Sequence, residues 1–204
     1  MEQLTVKFKG TQPLLMHNNR SANPLSVYAQ TLKPLTSKRN KTDADFREIA
    51  RMEWESGLYL ESNGNGQQVV VMPAKCIMRS TWEGAKKSKN GKLFQTGVLC
   101  TSDYFPLEYE GLRITVPTPR DADLFPDVNL NKFYEEHKHQ VPVKVGQSYV
   151  LRTRPIFINW SVVVTYDFQD SIIDRRTLAG CVEAAGAYAG LCDWRPYFGR
   201  FEVE

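Results

Sequence analysis

The sequence is poor in the features that mark several protein classes. Four cysteines, Cys76, Cys100, Cys181 and Cys192, are scattered through 204 residues with no Cys-x-x-Cys pair. That excludes a disulfide-dense secreted scaffold and points to a reduced, cytoplasmic setting. No run approaches the roughly 18 apolar residues of a membrane span. The chain opens with Met1 and Glu2 and passes directly into a strand pattern, so the mature protein is expected to start there, without a leader. Charge of one sign is lacking too. The 26 Lys and Arg face 23 Asp and Glu, for a net charge of +3, so any contact with a polyanion must come from local clustering. No phosphate loop of the form GxxxxGK[ST], GxSxG elbow or HExxH helix occurs, which leaves ATP hydrolysis, serine hydrolysis and zinc peptidase chemistry without support.

What is present is the pattern of one large domain, 1–204, long enough to bury about 70% of its unfolded surface. Leu4, Val6 and Phe8 alternate with Thr5, Lys7 and Lys9, a strand with one buried face that Gly10 and Pro13 end. Residues 18–41 are rich in Asn, Ser, Pro and Lys and are expected to loop outside the core. Thr42 to Asp45 resembles a capping box, and Phe46, Ile49, Ala50, Trp54 and Leu58 then recur at helical spacing as far as Glu61. A turn cluster over 61–67 leads to a β-branched run, Gln68 to Met72, stopped by Pro73. Ile77, Met78, Thr81, Trp82 and Ala85 form a helical stripe over 74–87, with Lys86, Lys87, Lys89 and Lys92 at its end. Those lysines suit the helix dipole without any ligand.

Residues 93–148 read as a second, looser excursion, with short strands near Val98, Leu107 and Leu112. Strands are expected at 149–154 and 156–168, a helix at 170–190 and a last strand at 198–203. Strand, insertion, helix, strands, helix and strand make an α+β arrangement of split βαβ type. Two helices would cover one face of an antiparallel sheet and leave the other open.

Two segments carry a resemblance: Gly10 to His17 after the first strand, and Gly190 to Phe201 running into the last. Together with Val71 to Lys75 leading into a helix, they resemble the RAMP superfamily, in particular the crRNA-binding backbone subunits of CRISPR ribonucleoproteins. The match spans about half the chain and leaves the middle unmatched. The resemblance implies a ferredoxin-like, RRM-like fold with a thumb-like insertion at about 18–61 and a glycine-rich loop before the last strand. It also implies sequence-independent, non-catalytic binding of single-stranded RNA, or DNA, without a cofactor. Copies of the protein would assemble along the strand, with other ribonucleoprotein subunits as further candidate partners. The insertion lysines and arginine, Lys33, Lys38, Arg39 and Lys41, would press on the strand.

The residue types suit that role. Gly190 and Gly199 admit positive φ and close approach to a phosphate, and Arg195 and Arg200 supply fork-shaped donors. Trp194, Tyr197 and Phe198 are interleaved with them and able to stack on unpaired bases. The plainer assignment makes Gly190 a helix C-cap and Trp194 and Phe198 core. Arg152 and Arg154 alternate along a strand and so share a face, expected to be the open face of the sheet. Among the three histidines, His17 is the alternative catalytic candidate, as the base of a metal-independent endoribonuclease. His137 and His139 have a metal-compatible spacing without accompanying ligands and are expected at the surface. Asp43 and Asp45 are placed either for metal-dependent cleavage or, more simply, in the first turn of a helix. A further alternative is a viral interaction or assembly protein that reuses the fold.

Overall fold

The computed structural model describes residues 1–117 and 128–204. In chain order its strands are β1 (Glu2–Gly10), β2 (Leu14–Leu15), β3 (Leu60–Ser62), β4 (Gln68–Pro73), β5 (Val98–Cys100), β6 (Tyr104–Tyr109), β7 (Leu112–Arg113), β8 (Thr115–Val116), β9 (Lys138–Val145), β10 (Ser148–Phe157), β11 (Ser161–Phe168) and β12 (Phe201–Val203). The helices are α1 (Val27–Ser37), α2 (Asp43–Gly57), α3 (Ala74–Lys87), α4 (Gly91–Gly97), α5 (Val128–Glu136) and α6 (Arg175–Ala184), which runs on into a π-turn over Ala185–Ala189. The protein is a mixed α+β structure with antiparallel sheets.

The chain divides into two compact units. The first combines Met1–Leu14, Leu60–Thr115 and Phe157–Glu204. Its main sheet runs β12-β1-β11-β6-β4-β3. β1 and β11 pair so that Leu4, Val6 and Phe8 oppose Tyr166, Val164 and Val162, all of them buried. The alternation seen in the sequence is thus the pleat itself, and each such side chain contributes about 1.5–3 kcal/mol by leaving water. Phe8 stacks on Phe201 at 4.1 Å between centroids, which fastens β12 to the sheet. α3 and α6 pack together on this apolar face. Tyr166, wholly buried, keeps its hydroxyl 2.8 Å from the Thr81 hydroxyl of α3, which in turn donates to the Ile77 carbonyl.

The second unit combines Leu15–Tyr59 and Val116–Ile156. Trp54 of α2 is its centre. The fully buried indole donates to the His137 carbonyl at 2.8 Å and meets Tyr134 edge-on at 5.2 Å. α2 starts on a complete capping box in which Thr42 and Asp45 exchange hydrogen bonds. It ends where the Arg20 guanidinium takes the carbonyls of Glu55 and Leu58, both at 2.8 Å, so that a cation sits on the negative end of the helix dipole. β9 and β10 form a hairpin from Val145↔Ser148 to Lys138↔Pro155.

Several expectations need correction. Residues 18–41 are not a loop throughout, because α1 lies within them, capped by Ser26 accepting from the Ala29 amide. Only Leu35 of that helix is buried, and Pro34 sits inside it, so neither periodicity nor composition marks it in the sequence. In the span 93–148 the strands expected near Val98, Leu107 and Leu112 are present as β5, β6 and β7, while α4, α5 and β9 were not foreseen; residues 118–127 of that span lie outside the described residues. The helix foreseen at 170–190 begins at Arg175 on an Asp174 cap. Phe46, assigned to the buried stripe of α2, is 53% exposed.

Candidate nucleic-acid interface

The segment between α6 and β12 is a loop closed at its neck. Gly190 and Gly199 have φ of 71° and 72°, the left-handed region that favours glycine. A Cβ on Gly199 would stand 2.1 Å from the Leu191 carbonyl oxygen, and one on Gly190 would stand 2.7 Å from that of Phe198. The two stems therefore touch backbone to backbone. The Leu191 amide donates to the Gly199 carbonyl at 2.9 Å, and the Gly199 amide to the Pro13 carbonyl at 2.8 Å. The close approach that these glycines permit in this structure is between the stems of the loop.

Inside the neck, the Tyr197 and Phe198 amides both donate to the Trp194 carbonyl, at 3.1 and 3.2 Å. Cys192 and Trp194 are held at positive φ, 60° and 50°, an unfavourable conformation for residues with a Cβ and one that concentrates at functional loops. Tyr197 is 86% exposed and Trp194 39% exposed, so neither ring is sealed in the core. Arg200 is exposed, and its Nε donates to the Pro196 carbonyl at 2.9 Å. Its own carbonyl receives the Thr11 and Gln12 amides, which draws the segment after β1 alongside. Gln12, Pro196, Tyr197 and Arg200 line an open pocket of about 310 Å³. An exposed phenol, an arginine fork and a side-chain amide thus share one concavity, a suitable set for a phosphate beside a base. Arg195 is differently placed, with Nη1 3.2 Å from the Glu83 carboxylate of α3.

The remaining predicted residues lie in the second unit. Lys38 is ion-paired with Asp45. That hydrogen bond, with those from Thr42, holds the Asp45 carboxyl at a pKa of about 2. Lys41 donates to the Lys38 carbonyl at 2.8 Å. Lys33 and Arg39 are exposed and have no carboxylate against them among the described residues. Arg152 is ion-paired with Glu53, whose other oxygen accepts the Thr153 amide at 2.9 Å. Arg152 and Arg154 belong to β10, in the sheet ordered β2-β10-β9, and not to the helix-backed sheet for which they were expected.

The open face of the helix-backed sheet differs from the expected cationic platform as well. Across β1 and β11 its side chains pair with each other: Gln3 with Asp167 at 3.0 Å, and Thr5 with Thr165 at 2.9 Å. Lys7 and Lys9 are ion-paired with Glu204. Among the described residues this part of the face carries no aromatic ring.

No family model matches the chain. No curated protein matches it either.

His17 is exposed, and its carbonyl accepts the Tyr59 hydroxyl at 3.1 Å, so a phenol that spacing did not reveal lies on its backbone. His137 and His139 are not surface residues as expected. Both are half-buried, and burial lowers both pKa values, reinforced at His139 by the Arg154 charge. His137 Nδ1 lies 3.1 Å from the Ile156 carbonyl. Asp45 serves as the capping residue of α2. Sequence reasoning missed an open pocket of about 580 Å³ in the second unit, lined in part by Phe46, Arg47, Arg51, Tyr134 and Lys138. The guanidinium of Arg51 and the ammonium of Lys138 lie 4.9 and 5.1 Å from the Tyr134 ring. Alternation of rings and cations over 46–51 and 134–138 was the available signal.

Proposed function

We propose that the protein is a RAMP-like, non-catalytic binder of single-stranded nucleic acid, RNA in particular. Its first unit has a ferredoxin-like core on this reading. Support comes from the strand order β12-β1-β11-β6, with α3 between β1 and β6 in the chain and α6 between β11 and β12, which is the split βαβ order. The observation that carries the function is the loop before the last strand, where exposed Tyr197 and Arg200 share a pocket beside Trp194.

Binding would proceed by contacts that ignore sequence. Arg200 takes a phosphate through its guanidinium, and Tyr197 and Trp194 offer faces to adjacent bases, each worth about 1–3 kcal/mol. Arg195 joins them by exchanging Glu83 for a phosphate. Lys33 and Arg39 of the second unit are further exposed cations available to phosphates, and copies of the protein line up on the nucleic acid. Fluorescence anisotropy of a labelled oligouridine tests this. Affinity should fall with salt, the slope of log K against log[salt] changing by about −0.7 for each phosphate neutralised. Binding that is absent at 50 mM salt, or present and indifferent to salt, contradicts the proposal.

A further inference from the structure

Positive charge gathers on α3 and the turn that follows it. From residue 74 to residue 101 the chain carries six cations and one carboxylate, Glu83, a net charge of +5 within a chain whose total is +3. Four of the cations, Lys86, Lys87, Lys89 and Lys92, are exposed and have no carboxylate against them among the described residues.

The helix dipole accounts for only part of this cluster. Lys86 and Lys87 stand in the last turn of α3, where a cation is favoured. Lys89 lies beyond the helix at a φ of 63°, in the left-handed position that favours glycine: its amide donates to the Lys86 carbonyl at 3.2 Å, and the Asn90 amide to that of Ala85 at 2.8 Å. Lys92 is the second residue of α4, at the end of a helix where a cation is disfavoured. Two of the lysines therefore stand where the local backbone gives no reason for a positive charge.

A chain of contacts joins the cluster to the loop before β12. Glu83 holds Arg195 of that loop at 3.2 Å through one oxygen and Arg79 at 2.7 Å through the other. The Arg79 guanidinium lies 4.8 Å from the centre of the Trp82 ring, and the Lys86 ammonium lies 4.5 Å from the same ring. Arg195, Arg79 and Lys86 thus form one cationic line, two of whose members the indole holds in place.

We propose that this line is a second contact segment for the nucleic acid held at the loop, whose phosphate backbone passes from Arg195 along the exposed side of α3 to Lys86, Lys87, Lys89 and Lys92. The proposal rests on the nucleic-acid-binding reading and extends it. Ammonium groups on flexible stems suit phosphates rather than base edges, so the segment adds affinity without sequence preference.

Fluorescence anisotropy of the full chain with a labelled oligouridine, over a range of salt, tests it. Lys87→Gln combined with Lys89→Gly removes two cations, and the second change relaxes the left-handed residue, so this variant keeps its fold, which urea unfolding checks. Its salt slope should be shallower by about 1.4, two phosphates at about 0.7 each, and its affinity at low salt lower. Lys7→Gln combined with Lys9→Gln, on the open sheet face, removes the same charge and should keep the wild-type slope. An equal change in both variants, or none in the first while the wild type binds, overturns the proposal and leaves the loop as the site. A wild type that does not bind at low salt overturns instead the reading on which the proposal rests.

Discussion

Replacing Gly199 with alanine should do more damage than any ordinary glycine substitution in this chain, and the structure says by how much. Two separable penalties meet there. A Cβ at φ of 72° costs about 1–2 kcal/mol in backbone strain. The same Cβ placed 2.1 Å from the Leu191 carbonyl oxygen forces the stems apart, an overpacking cost of about 1–3 kcal/mol. The expected loss is therefore about 2–5 kcal/mol. Two other glycines separate the terms. Gly66 has a φ of 79° but nothing near its Cβ position, so Gly66→Ala should lose only the strain, about 1–2 kcal/mol. Gly64 has open space and no positive φ, and Gly64→Ala should be neutral or stabilise by about 0.4–1 kcal/mol through the unfolded chain. Urea unfolding followed by tryptophan fluorescence measures all three at constant m-value. A Gly199→Ala loss no larger than that of Gly66→Ala would refute the backbone contact at the neck.

Three further outcomes follow from the same geometry. Tyr197→Ala should weaken oligouridine binding by about 1–3 kcal/mol while leaving the melting temperature unchanged, since the ring is 86% exposed; equal affinity in filter binding would remove Tyr197 from the interface. Glu83→Gln should free Arg195 from its competing carboxylate and raise affinity at low salt with the salt slope unchanged, and unchanged affinity would mean that Arg195 reaches no phosphate. The carboxyl of Asp45 has its folded pKa depressed to about 2, below its value in the unfolded chain, by Lys38 and Thr42. Its stabilisation is thus complete above about pH 5 and lost as pH falls toward 2. Urea midpoints of wild type and Asp45→Asn should accordingly converge over that interval, and a constant difference would contradict the assignment.

Much of the first unit was legible because its strands alternate cleanly. Leu4, Val6 and Phe8 declared the buried face of β1, and Ile77 to Ala85 declared α3, since burial on one side imposes a period on the sequence. Thr42 and Asp45 revealed the start of α2 through their local capping chemistry. α1 stayed hidden because one buried leucine leaves no period to read. Arg152 and Arg154 were rightly placed on a strand, but a strand's sheet is decided by long-range pairing with β9, which no local pattern encodes. The loop aromatics were legible as types only. The 86% exposure of Tyr197 depends on where Gly190 and Gly199 bend the chain, and the engagement of Arg195 by Glu83 depends on α3, 112 residues away.

Photo-crosslinking tests the central claim most directly. A single-stranded RNA carrying 4-thiouridine is irradiated with the full chain at low salt, and the attached peptides are sequenced by mass spectrometry. The account predicts crosslinks within residues 194–200, abolished by unlabelled competitor RNA of unrelated sequence. Crosslinks confined to other segments, or none above those of an unrelated protein of equal charge, would contradict it.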